Sequence, residues 1–174
     1  SRLSYFIYRS MPDDTLLNAA AIGKLVTKAD VEREARRMLL NPKAHDGVSD
    51  FFTEWLSLDR LALTEKDPSV LPTFDAVRAD MATETIKFTE SIFFGDGQFT
   101  SLLQSSTTWI NEPLAQLYGQ PGVVGMPFQQ VKLDPKTRAG ILTQASFLSL
   151  ASDASTSSPT RRGKFVREKL LCQW

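Results

Sequence analysis

The 174 residues carry 20 basic and 20 acidic side chains, for a formal net charge of zero, with 42% hydrophobic and 23% charged residues. This is the composition of a globular protein that buries about 70% of the unfolded chain's surface, and it lacks the overall positive field that nucleic acid or an anionic membrane calls for. One cysteine, Cys172, and one histidine, His45, leave no intrachain disulfide and no Cys/His metal spacing, while no run approaches the ~18 to 20 apolar residues of a membrane span and no signal-peptide pattern opens the chain.

In chain order, Leu3, Phe6 and Ile7 predict a short first helix with one apolar face, ended at Met11-Pro12. Asp13 and Asp14 open a second helix, where acids suit the positive end of the dipole; Leu16, Leu17 and Ala20 are expected to face inward before Gly23 stops it. A variant capping box, Thr27-Lys-Ala-Asp30, starts a third, with Val31, Ala35, Met38 and Leu39 as its buried stripe and Glu32 and Arg36 as an exposed pair four apart. The next helix, about Gly47 to Leu58, presents Val48, Phe51, Phe52, Trp55 and Leu56 on one face, the expected centre of the core. His45 precedes it beside Asp46, read as an N-cap; with no nucleophile nearby in sequence, His45 reads as a surface or capping residue.

The pattern lapses into a loop from Arg60 to Pro72. Phe74, Val77, Met81, Thr85, Phe88 and Ile92 then predict the longest helix, about Thr73 to Phe94, closed by Gly95-Asp-Gly97. Asp80 and Glu84 lie four apart on it and read as a solvated acidic face, because no Glu-x-x-His partner accompanies them. A short turn near Phe99 to Leu103 and a helix capped by Asn111, with Leu114, Leu117 and Tyr118 inward, run to Gly119. Phe128 to Leu133 has an extended pattern, but a lone strand makes no sheet. The expected fold is therefore all-α, an irregular bundle of roughly seven to nine helices.

The stretch from Thr137 to Trp174, TRAGILTQASFLSLASDASTSSPTRRGKFVREKLLCQW, carries the functional candidates. It reads as an apolar helix, Thr137 to Leu148, a Ser/Thr-rich loop, Ser149 to Thr160, and a basic helix capped by Ser158 with Pro159 at its first position. Arg161, Arg162 and Lys164 fall in the first turns of that helix, where the macrodipole already disfavours cations. Ser158, Thr160, Arg161, Arg162 and Lys164 are thus candidates to hold an anion or to dock a domain, against a plain solvated face or internal acid pairing. No catalytic triad, metal spacing, phosphate-binding glycine motif or nucleophile elbow appears, so no catalytic and no metal residue is assigned.

RAGILTQASFLSLASDASTSSPTRRGKFVREKLL, together with SRLSYFIYRSMPDDTLL at the start and TWINEPLAQLYGQPGV in the middle, resembles a large family of secreted planctomycete, myxobacterial and acidobacterial proteins, consecutive domains of unknown function associated with c-type cytochromes. The resemblance implies one domain over residues 1–133 and the beginning of the next over 134–174. It also implies a larger extracytoplasmic precursor with haem c attached through a CxxCH motif further along. This chain has no CxxCH, so it holds no cofactor by that route. The expected role is a non-catalytic helical module supporting a neighbouring haem domain, partnered by the adjacent domain of the same precursor. The alternatives are an enzyme acting on an environmental polymer through acids such as Asp80, Glu84 or Asp153, and a scaffold binding a protein through Leu171 and Trp174 of the last helix.

Overall fold

The computed structural model describes residues 1–173. Among these described residues, nine α-helices, two 3-10 segments, one π-type segment and two short strands follow one another. The molecule is thus mostly helical but carries a small sheet, and its helical segments outnumber the seven to nine expected. Contacts divide the chain into two units, Ser1–Phe51 and Phe52–Trp174.

In the first unit, helices α1 (Arg2–Tyr8), α2 (Asp14–Ala21) and α3 (Lys28–Leu39) are followed by the start of α4 (Ala44–Leu56). The capping box forms as read, with Thr27 and Asp30 exchanging hydrogen bonds. Asp13 caps α2 by accepting from Leu16 N–H, and Arg37 of α3 grips the same carboxylate with two parallel bonds at 2.8 and 2.9 Å while donating to Glu34. That fork holds Asp13 below the usual carboxylate range. Ile7, Tyr8, Leu16, Met38, Ala44 and Val48 are buried. The one-faced reading of the first helices fails at Phe6, 83% exposed, and at Leu17 and Ala20, which are also exposed. A helix of two turns buries only the residues that meet its neighbour. Asp46 does not cap α4, which starts two residues earlier, and Phe51 faces outward at 59% exposure.

The second unit is built on α5 (Phe74–Phe93), whose stripe of Phe74, Val77, Met81, Thr85, Phe88 and Ile92 is buried as its spacing predicts. The loop expected from Arg60 contains a 3-10 segment, Leu58–Leu63, with Leu58 and Leu61 buried against this core. After α6 (Phe99–Gln104) comes strand β1 (Thr107–Ile110), then α7 (Glu112–Tyr118), which Asn111 caps, and strand β2 (Gln129–Lys132). β1 and β2 pair antiparallel, with Thr108 opposite Val131 and Trp109 opposite Gln130. The extended stretch near Phe128 therefore has a partner, and all-α is corrected to helical with a two-stranded ribbon. Thr108 and Ile110 alternate inward.

The single helix expected from Thr137 to Leu148 is broken. Gly140 has φ 63°, and its N–H is donated to Ser105. A 3-10 turn, Ile141–Thr143, and an extended Gln144 intervene before α8 (Ala145–Leu150). A positive φ is open to glycine at no steric cost, which is why the chain turns there. Ser152 and Ser157 then form an isolated bridge across the hydroxyl-rich loop, followed by α9 (Pro159–Phe165) and the π-type segment Val166–Leu170. The Phe147 and Phe165 rings meet edge to face at 4.8 Å, and Trp55 Nε1–H donates to the Lys169 carbonyl.

Candidate functional site

Glu84 is fully buried, not part of a solvated acidic face. Its place on α5 explains why: it follows Met81 by three residues and precedes Phe88 by four, so it lies on the apolar stripe. Thr108 of β1 donates to Oε1 at 2.8 Å, and the Tyr118 hydroxyl donates to Oε2 at 2.6 Å. Tyr118 in turn accepts Ala145 N–H at 2.8 Å, and Thr108 accepts from Gln144 Nε2 at 3.3 Å. Gln144 Oε1 accepts from Thr85 Oγ1, which lies 2.6 Å from Ser146 Oγ. Burial pushes the Glu84 carboxyl up to about 7, against the pull of the Tyr118 and Thr108 hydrogen bonds and of Arg138. Burial and then the Glu84 charge raise the Tyr118 phenol far above its ordinary value.

Arg138 stacks over the Tyr118 ring at 4.7 Å and donates to the Thr143 carbonyl at 2.7 Å. Both residues line an open cleft of about 320 Å³. Met81, Leu148, Leu71 and Val70 form its apolar side, and loop 152–158 covers it. Lys66 anchors that loop through its ammonium, bonded to the Ser152 carbonyl and hydroxyl and to the Asp153 carbonyl. Burial lowers its pKa, with Arg161 acting in the same direction and Asp153 opposing.

The five residues singled out from the sequence do not converge. Ser158 caps α9 through Arg161 N–H and, with Arg162, lines the cleft. Arg161 turns the other way: it pairs with Asp153 at 2.6 Å, donates to the Ser152 carbonyl, and with Lys164 lines a second groove. Lys164 lies 3.7 Å from Glu168. Thr160 is exposed and lines neither. The anion that the crowded helix start demands is, for Arg161, the chain's own Asp153. Arg162 has no ion pair and no side-chain hydrogen bond among the described residues.

That second groove, about 430 Å³, runs between the 3-10 segment's start and α9. Arg60, Arg161, Lys164 and Lys169 line it against Glu168, over Phe147, Leu150 and Phe165. His45 sits on the surface of the first unit, and Cys172 is an exposed thiol. No group of three or more metal-binding side chains occurs among the described residues.

The chain therefore presents a buried carboxyl network under one cleft and a basic groove beside it, on a frame that spans two stretches of known family pattern. Residues 1–120 match the model of PSD4, described as a protein of unknown function (DUF1592). The chain belongs to this family. Residues 138–174 match a second model, PSCyt3, likewise a protein of unknown function (DUF1588), so two consecutive families meet in one polypeptide. No curated protein and no solved structure matches the chain. No helix among the described residues is long and apolar enough to cross a membrane. Within the DUF1592 stretch lie Glu84, Thr108 and Tyr118; within the DUF1588 stretch lie Arg138, Gln144 and Ala145. The network thus ties the two stretches together. Sequence reading missed Glu84, Tyr118, Arg138 and Lys66 as a set; the one local signal was the position of Glu84 on the apolar stripe of α5.

Proposed function

We propose that this chain is a non-catalytic helical module of a larger multidomain protein, and that a neighbouring domain of the same precursor docks in its basic groove. The observation that carries this reading is the groove itself. Arg60, Lys164 and Lys169, beside an Arg161 already paired with Asp153, outnumber the one acid lining the groove, Glu168, over an apolar floor, while α9 and the π-type segment after it bury no residue fully. Such a surface suits an acidic partner with an apolar patch. Of the carboxylates that an enzymatic reading draws on, Glu84 has both oxygens in internal hydrogen bonds and Asp153 is paired with Arg161. Neither is free to work on a substrate, which leaves that reading with Asp80 alone, where glycoside hydrolysis calls for a pair of carboxyls.

The family names hint at cytochrome association, and we infer an extracytoplasmic precursor whose haem c sits in another domain. Haem attachment does not fit the residues here: Cys172 and His45 are the only thiol and imidazole, 127 positions apart by number, and no CxxCH exists. Haem propionates are one class of acid that the groove would accept.

The test uses the full-length protein. Its absorption spectrum is expected to show c-type haem, and Arg60→Glu with Lys164→Glu is expected to speed proteolysis at the junction with the docked domain by about tenfold, a coupling loss of about 1.4 kcal/mol. An unchanged cleavage rate would reject docking at this groove, and the absence of a haem spectrum would reject the cytochrome setting alone.

A further inference from the structure

We infer that the cleft roofed by loop 152–158 is a binding site for a small organic carboxylate with an apolar body. It is separate from the docking groove, since Arg162 points to one and Arg161 and Lys164 to the other. Three features specify the ligand. The first is charge: Lys66, Arg138 and Arg162 line the cleft, and its one carboxylate, Asp153, is already taken by Arg161. The whole chain is neutral, so this positive surplus is local.

The second feature is the unused donor. Arg138 spends its guanidinium on the Thr143 carbonyl and the Tyr118 ring, and Lys66 on the loop, but Arg162 is half-buried with no side-chain partner among the described residues. A planar guanidinium with its donors unspent offers a two-pronged seat for a carboxylate. The third feature is size and lining: about 320 Å³ with an apolar side of Met81, Leu148 and Leu71 takes a ring or short alkyl body at the lower end of the ligand-pocket range.

The roof is fixed before any ligand arrives. Lys66 bonds it at Ser152 and Asp153, Asp67 N–H donates to the Ala154 carbonyl, Arg161 holds Asp153, and Ser152 bridges Ser157. A site preorganised in this way loses little entropy on binding.

Benzoate is the probe, with benzamide as its neutral isostere, and both are titrated into the intact chain while amide and Tyr118 ring resonances are followed by NMR. Saturable benzoate shifts confined to the cleft are expected, with benzamide at least about tenfold weaker. Arg162→Gln is expected to weaken benzoate about tenfold and leave benzamide unchanged, and Arg162→Lys to fall between the two. Thermal melts of both variants within a few degrees of the parent keep the comparison sound, since Arg162 makes no ion pair and no side-chain hydrogen bond among the described residues. Equal binding of the two probes, shifts outside the cleft, no saturable shift, or an unchanged benzoate affinity in Arg162→Gln would each overturn the assignment.

Discussion

Glu84 illustrates how a single side chain sets a pH dependence. Its carboxyl is buried with a pKa of about 7, against an ordinary 4.5, so the folded state keeps a proton that the unfolded chain has already released through that window. The Glu84 contribution to stability is then fully present below about pH 4.5, declines as pH rises from there through 7, and is flat above; its full drop is about 3 kcal/mol. The acids held below their usual range, Asp13 among them, act in the opposite direction, losing stability at lower pH as they protonate. Glu84→Gln removes the titration while keeping the shape. Urea unfolding of parent and variant from pH 4.5 to 7.5 is expected to show the decline in the parent and a flat difference curve's absence, that is, a gap between the two that changes by about 3 kcal/mol across the window. Parallel stability curves would mean that Glu84 does not titrate in the folded protein.

At the scale of elements, Gly140 decides where the C-terminal third of the chain turns. Its φ of 63° is unfavourable for any side chain, and a Cβ there would run into the backbone of Leu102 and Leu103 at the end of α6. Gly140→Ala is expected to cost roughly 3 kcal/mol or more, lowering the melting temperature by about 10 °C. A melt within 2 °C or so of the parent would show that α6 gives way freely. This turn was not legible beforehand because Ile141, Leu142, Ala145 and Leu148 keep a helical rhythm straight through it. The rhythm reflects where these side chains are covered, Ile141 and Ala145 buried and Leu142 and Leu148 partly so, not one continuous helix. By contrast the extent and apolar stripe of α5 were legible, since Phe74, Val77, Met81, Thr85, Phe88 and Ile92 recur at spacings of three and four and leave one face to bury. Strand β1 was not, because four residues carry too little alternation and even the nearest pair, Ile110 with Gln129, lies nineteen positions apart. Glu84 was misread for a related reason: the groups that satisfy it, Thr108 and Tyr118, come from 24 and 34 residues away.

For the whole molecule, family pattern and packing draw different lines. The family matches leave residues 121–137 between them, and a division at 133/134 falls in that gap. Contacts instead divide the chain at 51/52 and place both sides of that gap in one unit. The hydrogen bonds agree with the contacts. Ending the chain at Leu133 would remove the Ala145 N–H that fixes Tyr118, the Gln144 amide that serves both Thr108 and Thr85, and α8, which packs on α5. Each buried polar group left without its partner costs about 1 to 3 kcal/mol, and several at once rival the whole stability of a domain, about 5 to 15 kcal/mol. Residues 1–133 alone are therefore expected to lose cooperative unfolding as followed by Trp109 fluorescence, and adding residues 134–173 as a separate peptide is expected to restore part of it. A fragment 1–133 that melts cooperatively within a few degrees of the intact chain would make the gap between the families a true folding boundary, with the buried network around Glu84 a later addition to an already stable core.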